Sequence, residues 1–439
     1  MALERNRGRR IQPGELAVVV GAGRSGLAAA KLLRREKARV RLLERNRNAI
    51  DLTTLAALQR AGVEVLFGEH TPELFENAVL VVASPGLPLA ALREMMGPQA
   101  ARTSCEIMAE MELAWRYLDG EPVLAVTGTS GKTTTVSLAA AMLQKQGYAV
   151  FLGGNIGTPL SEYVLSGRRA DVLVLEASSF QLQGCSTFCP RVGVILNISP
   201  NHLDHHKDMA EYVEAKFRIF RCQEEGDLAI MGEGLRKLAG AFRLRARQQI
   251  FIPADCPPRF ADCQLLGAHN NFNVEAAWLA CRFFGVSEAN AAAAVAAFRP
   301  LPHRLERVRR HRGVLYVNDS KCTTVAALKV ALESFDQPVR LLCGGKFKGG
   351  DLAALAPLVQ AKVQEVALFG GSRDVFEKAW GDIVPMHWHE HLKEAVTLLS
   401  HTACKGDVVL LAPATSSFDQ YGSYIKRGED FKRIVGALA

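Results

Sequence analysis

Gly128-Thr129-Ser130-Gly131-Lys132-Thr133 stands between a strand-forming run at 123–126 and a stretch at 134–144 that reads as a helix. A glycine-rich turn passed from strand to helix leaves few choices for what surrounds it. Its successive backbone N–H groups form a concave anion site, and the helix adds its positive end. In such a loop Gly128, Thr129, Ser130, Gly131 and Thr134 frame the phosphates of ATP, Lys132 neutralises the outer ones, and the Thr133 hydroxyl ligates Mg²⁺. The full phosphate-loop pattern has glycine where Val126 stands, so this is the shorter G-x-x-G-K-T form.

A second fingerprint lies upstream. Gly21-Ala22-Gly23-Arg24-Ser25-Gly26 follows the strand-like Leu16–Val20 and opens a helical stretch at 25–36, and Glu44 ends the next strand, 40–43. That is a dinucleotide pattern, with an acid placed for a ribose hydroxyl. Alone it suggests NAD. The same geometry holds the diphosphate of any nucleotide-linked molecule, and a dehydrogenase has little use for an ATP loop. Together the two turns favour a nucleotide-tethered substrate over a redox cofactor.

The chain has 439 residues, and at about 150 residues per domain that points to three domains. Further strands are read at 63–67, 78–83, 172–176, 192–196, 314–317, 339–342, 363–369 and 408–411, separated by helix-length connections. This alternation implies α/β domains with parallel, doubly wound sheets. Residues 273–298 read as two helices broken at Gly285, with Ser287 capping the second. Glu121-Pro122 and the Pro300/Pro302 pair mark boundaries. The expected plan is a Rossmann-like domain over 1–120, a P-loop ATPase-like domain with a mostly parallel sheet over 121–300, and a second Rossmann-like domain over 301–439. Residues 231–267 show no motif.

Other classes fall away. No apolar run approaches the ~20 residues of a membrane span. Four arginines by Arg10 with no apolar segment after them make a frayed, solvated tail rather than a secretory signal. Ten scattered cysteines without a C-x-x-C pair fit reduced thiols in the cytoplasm. The net charge of +8 includes five arginines within 303–312, but that run has no Phe, Tyr or Trp to stack bases. An anionic small substrate uses the same field, and nucleic acid is not an expected partner.

Four more segments narrow the reading: Leu175-Glu176-Ala177-Ser178-Ser179-Phe180-Gln181-Leu182, Asn155-Ile156-Gly157, 197–206 (NISPNHLDHH) and Asn318-Asp319-Ser320-Lys321. With the phosphate loop, and in order from about Val18 to Phe431, the chain resembles the Mur ligases, most closely their D-glutamate-adding branch. The resemblance implies that ATP phosphorylates the carboxylate of UDP-N-acetylmuramoyl-L-alanine and that the amine of D-glutamate then displaces the phosphate. It implies two Mg²⁺ ions, with Thr133, Glu176, His202 and a carbamylated Lys216 as ligands. Lys132, Glu176, His202 and Lys216 are the catalytic candidates. Mg²⁺ prefers oxygen, so the histidine contact rests on the resemblance alone.

The remaining roles follow the same resemblance. Arg24, Ser25, Glu44, Asn155 and His202 fall where the UDP-linked substrate is held. Asn270 and Asn273, three apart on one helix face, and Arg304, Asp319 and Lys321 serve ATP. Thr323, Lys348, Ser417 and Phe418 serve D-glutamate, with Lys346 a rival to Lys348. A monomer is expected. The chain departs from the family pattern at Asn201, Cys322 and Thr324. Folylpolyglutamate synthetases share the phosphate loop but carry a different central acidic segment. An NAD-dependent oxidoreductase would rest on 21–26 alone, and a regulatory protein without turnover would lack one of Lys132, Glu176 and His202.

Overall fold

The computed structural model describes residues 7–97, 105–202 and 205–438. The chain divides into two compact units, one running to Arg259 and again over Phe272–Val295, the other comprising Phe260–Asn271 and everything from Ala296.

The first unit holds two sheets. In one, β1 (Leu16–Val20), β2 (Arg39–Glu44), β3 (Val63–Phe67), β4 (Ala78–Ala83) and β5 (Glu106–Ala109) lie in the order β3-β2-β1-β4-β5, every pair parallel. All five residues of β1 are buried, which is why its sequence runs apolar without alternation: a central strand covered on both faces has no polar side. The helix Arg24–Arg35 lays Ala28, Ala29, Ala30, Leu32 and Leu33 against this sheet, and the alanines let its backbone come close.

The other sheet comprises β6 (Val123–Thr127), β7 (Val150–Gly154), β8 (Val172–Glu176), β9 (Val192–Ile195), β10 (Leu228–Gly232) and β11 (Gln248–Ile252). Its order is β11-β10-β9-β6-β8-β7, again parallel throughout. The chain turns to opposite sides of β6, so the crevice where open parallel sheets bind ligands opens at its C-terminal end.

A short helix, Glu110–Trp115, follows β5 directly and joins the two sheets. Glu112 is fully buried and accepts hydrogen bonds from Ser186 Oγ (3.0 Å), Thr187 N (2.9 Å), Thr187 Oγ1 (2.7 Å) and Phe188 N (3.0 Å). Glu110 accepts from Ser161 N at 2.6 Å, and Ala109 N donates to Gly184 O at 3.0 Å. One continuous hydrophobic core takes residues from both sheets.

The arginine-rich start is not the solvated tail expected from the sequence, as far as it is described. Arg10 Nε donates to Arg116 O at 2.7 Å, Ile11 N donates to Tyr117 Oη at 3.2 Å, and Arg7 reaches Leu118 O. The Arg7 and Arg10 guanidinium groups lie over the rings of Trp115 and Tyr117. These cations meet the carbonyl end of a helix and two aromatic faces, while Arg10 keeps its access to solvent.

The second unit carries β12 (Glu306–His311), β13 (Val314–Asn318), β14 (Val339–Cys343), β15 (Val363–Phe369), β16 (Met386–His389) and β17 (Val408–Leu411), ordered β12-β13-β17-β14-β15-β16. Only β12 runs antiparallel. Successive residues feed opposite faces: Leu341, Cys343, Val366 and Leu410 enter one core, and Leu342, Ala367, Val409 and Leu411 the other.

Most strands named from the sequence appear within a residue of the expected limits. The helix pair expected over 273–298 is Ala268–Arg282 and Glu288–Ala297, broken at Gly285 (φ +81), with Ser287 Oγ accepting from Asn290 N at 3.3 Å. Residues 231–267, read as featureless, contain the edge strand β11. Among the described residues no helix is long and apolar enough to cross a membrane.

Candidate functional site

The glycine turn after β6 leads into the helix Lys132–Gln146. Gly131 has φ +84, and a Cβ there would lie 2.4 Å from Asn273 Oδ1, so only glycine passes. Asn197, two residues beyond the end of β9, clamps the loop from outside: its Oδ1 accepts from Ser130 N at 2.9 Å and its Nδ2 donates to Ser130 O at 3.3 Å. Thr129 N donates to Asn197 O at 2.9 Å.

Two lysines converge on one carbonyl. Lys132 Nζ donates to Gly128 O (2.8 Å) and Thr129 O (3.0 Å), while the buried Lys216 Nζ donates to Gly128 O (2.9 Å) and Thr127 Oγ1 (3.4 Å). Burial, and after it the neighbouring Lys132 charge, pulls the Lys216 amine down to about 6. The amine also lies 4.6 Å from the Tyr212 ring, whose hydroxyl is 3.1 Å from Thr129 Oγ1.

Across the turn, Glu176 ends β8 with its carboxylate buried. Its Oε2 accepts from Thr133 Oγ1 at 2.8 Å and its Oε1 from Asn155 Nδ2 at 2.8 Å. Thus Thr133, Glu176 and Asn155, far apart in sequence, form one hydrogen-bonded row beside the phosphate loop. The segment after Glu176 turns into a helix through a complete capping box between Ser178 and Gln181.

His202 is exposed, with φ +57, and its ring stands edge-on to Phe180 at 4.9 Å and 6.5 Å from that of Tyr212. Asp204 lies outside the described residues. Asn273 faces the turn, within 3.4 Å of Thr135 Oγ1, and both Asn270 and Asn273 belong to the helix Ala268–Arg282. Thr133 Oγ1 and Glu176 supply hard oxygen donors, the kind Mg²⁺ takes. No group of three or more His, Cys, Asp or Glu side chains among the described residues could hold a metal by itself.

At the N-terminal turn the fit is tighter still. A Cβ on Gly26 would stand 1.9 Å from Gly21 O, and Ser84 Oγ donates to the same carbonyl at 3.2 Å. Arg24 heads the helix and pairs with Glu162 at 3.7 Å, and Ser25 is half-buried beside it. Glu44 does something the sequence did not reveal: its Oε2 accepts from Ala22 N (2.8 Å) and its Oε1 from Asn46 N (3.0 Å). Burial alone would raise this carboxyl, but the amides of Asn46 and Ala22 hold it below its ordinary value. Glu44 therefore shapes the turn as well as facing its mouth.

In the second unit, the C-terminal ends of β13, β14 and β17 bring Asp319, Lys321, Thr323, the 344–348 loop, Ser417 and Phe418 to one edge of the sheet. Lys346 pairs through its backbone with Ser416 (2.9 and 3.0 Å), next to the buried Ser417, whereas Lys348 lies two residues on and Phe418 is exposed. Burial raises the Asp319 carboxyl to about 7, against the Leu305 amide and the Arg304 charge. Lys321 Nζ donates to Tyr424 Oη at 3.3 Å.

Two residues in this edge went unassigned from sequence. His303 is buried at φ +62, its Nδ1 3.0 Å from Asn318 Nδ2. Arg427, fully buried, donates to Ser320 O (2.9 Å) and Thr415 O (3.1 Å), tying the 318–321 segment to the one that carries Ser417. His303 sits beside Arg304, which could have flagged it, while Arg427 lies in a helix that reads as ordinary surface.

Residues 15–108 match the model of the Mur ligase MurD-like N-terminal domain, 126–243 the Mur ligase middle domain and 303–415 the Mur ligase glutamate ligase domain. The chain is 67% identical to the UDP-N-acetylmuramoylalanine–D-glutamate ligase of Desulfovibrio desulfuricans, covering 100% of each, and 58% identical to that of Nitratidesulfovibrio vulgaris, also over 100% of each. Among solved structures it is similar in fold to MurF ligase from Thermotoga maritima in complex with ADP, with a TM-score of 0.61 and 18% identity over 91% of this chain and 96% of that one.

Proposed function

The chain belongs to the Mur ligase family, and on that premise we infer that it uses ATP to add D-glutamate to UDP-N-acetylmuramoyl-L-alanine in the synthesis of peptidoglycan precursors. The observation that carries the chemistry is the row Asn155–Glu176–Thr133 set against the paired lysines on Gly128 O.

A substrate carboxylate oxygen attacks the γ-phosphorus of ATP, ADP leaves, and an acyl phosphate forms. The neutral amine of D-glutamate attacks the acyl carbon. The tetrahedral intermediate then expels phosphate, and the nitrogen gives up its proton to leave an amide. Phosphoryl transfer of this kind needs positioning and charge neutralisation more than covalent help. Lys132 supplies the charge at the loop, and the N–H groups of the turn hold the phosphates. Asn155 and Glu176 orient the acceptor side.

Thr133 would hold one magnesium ion at the phosphate loop, and Glu176 and His202 would hold a second. Mg²⁺ lowers the charge on the transferred phosphoryl group when bound. Lys216 would help hold magnesium once its neutral amine adds CO₂ and releases a proton to become a carbamate. Arg24, Ser25 and Glu44, in the domain of 1–120, serve the diphosphate of the UDP-linked substrate. The central domain, 121–300, and Asn270, Asn273, Arg304, Asp319 and Lys321 serve ATP. Thr323, Lys348, Ser417 and Phe418, in the domain of 301–439, serve D-glutamate. All ten cysteines are free, as suits the cytoplasm, and the enzyme works as a monomer of 47.8 kDa.

Phosphate release is expected only when ATP, UDP-N-acetylmuramoyl-L-alanine and D-glutamate are all present. Equal turnover with L-glutamate, or none with D-glutamate, overturns the assignment. In the same assay Lys216→Ala should lose most activity and regain part of it in acetate; indifference to acetate would remove the carbamate from the account.

A further inference from the structure

A run of positive charge lies at one margin of the central sheet. Residues 234–254 include Arg236, Lys237, Arg243, Arg245 and Arg247 and not one acid. The run leads straight into β11, the edge strand of that sheet. Between 242 and 247 the side chains alternate: Arg243, Arg245 and Arg247 are exposed, while Phe242, Leu244 and Ala246 turn into the core of the first unit. Arg236 is engaged by Glu233 and by the Phe251 ring, and Arg247 by the exposed Glu225 at 3.1 Å. Lys237, Arg243 and Arg245 have no ion pair among the described residues.

The edge itself is open. β11 pairs with β10 alone, so its outward amides and carbonyls have no backbone partner among the described residues. Alongside it run two adjoining cavities of about 730 and 500 Å³ that share Ile250 and Leu279. Together they make a groove between β11 and the helix face carrying Glu275, Leu279 and Arg282.

We propose that the β11 edge and its arginine ladder form a docking surface for an acidic, extended segment of a partner protein, which adds to the sheet as a strand. Unpaired backbone at a sheet edge is satisfied best by another backbone. Charged residues are also the usual means of keeping such an edge from pairing with itself, and here they repel a second basic copy while drawing an acidic strand. A nucleic acid or an anionic membrane would answer the charge but leave the strand edge unpaired, and the ring on the strand itself, Phe251, is already covered by Arg236. β11 lies three strands from β6, roughly 14 Å at the spacing of a sheet, so an occupant would leave the phosphate loop clear.

The test uses the full-length enzyme and a fluorescein-labelled peptide of alternating valine and glutamate. The peptide is expected to raise fluorescence anisotropy and to protect the amides of 248–252 from hydrogen exchange. Its lysine-for-glutamate counterpart should not bind, and a version with alternate amides N-methylated should bind at least about tenfold more weakly. The triple variant R243E/R245E/R247E should lose binding by a similar factor while its melting temperature and ligase turnover stay unchanged. No binding of the acidic peptide overturns the proposal. So does equal binding of the N-methylated peptide, or binding without protection at 248–252, since either reduces the surface to charge alone. Vesicles of phosphatidylglycerol and phosphatidylcholine, or a single-stranded oligonucleotide, binding where the peptide does not would assign the arginines to a membrane or to nucleic acid instead.

Discussion

The two glycine turns of the first unit are built alike and equipped differently. Each follows a fully buried strand within a parallel sheet and opens a helix, and each has a glycine that a Cβ would obstruct. Around the turn at 21–26 stand Arg24, paired with Glu162, and Glu44, both of whose oxygens are given to backbone amides. Around the turn at 128–133 stand two lysines and a carboxylate whose partners are side chains. On the proposed function, backbone N–H groups would bind phosphate in either place. The second adds two lysines and a buried carboxylate held by side chains, so on the proposed function the first turn would hold its ligand and the second would take part in the reaction.

This contrast breaks most visibly at Lys132. Lys132→Ala should lower kcat by about a thousandfold, the scale for losing a preorganised charge at a transition state, with the melting temperature nearly unchanged. A variant that kept its turnover would mean that the second turn also merely holds. Glu44→Gln should act on the first turn only, raising the KM for the UDP-linked substrate about tenfold, or ~1.4 kcal/mol, with kcat intact. A matching fall in kcat would give that turn a share in the chemistry.

The smallest effect concerns the join that holds both turns in one unit. Burial raises the Glu110 carboxyl from 4.5 to about 7. The folded chain therefore keeps this proton over a range where the unfolded chain has lost it. Its stabilising contribution is complete below about 4.5 and is lost as pH rises through about 7. Glu110→Gln should melt a few degrees above the parent at pH values past that range, and level with it at acid pH. Equal melting at both ends of the titration would mean that Glu110 ionises without cost.

Legibility followed burial. Strands such as β1, β4, β6 and β8 are continuous apolar runs in sheet interiors, and their limits could be read directly. The strands left unnamed were β5, β7, β10, β11, β12 and β16, and all but β10 are edges. An edge strand mixes polar residues into its pattern, as Gln248 and Gln249 do in β11 or His387 and His389 in β16, so its periodicity fades. The site shows the same division. Lys132 and Thr133 are legible because consecutive residues build the loop. Asn155, Glu176 and Lys216 needed the family likeness, because their meeting is made by three separate strand and helix ends. Asn197 and Arg427 escaped because each works through backbone groups, which leave no mark on the residues they hold, and His303 because its side-chain partner Asn318 lies 15 positions away. The folded-down Arg7–Ile11 segment was misread because charge suggested solvent, while the rings of Trp115 and Tyr117 lie over a hundred positions away.

Glu112 also bears on inheritance. Its carboxylate takes four hydrogen bonds from Ser186, Thr187 and Phe188, in the domain next along the chain. A hybrid gene that took its first domain from a distant relative would carry in a helix cut to a different lock, and would leave those donors facing a stranger. Recombination between such genes succeeds only where both halves of that lock travel together. The two N-terminal domains are thus matched to each other through Glu112, although each has a sheet of its own.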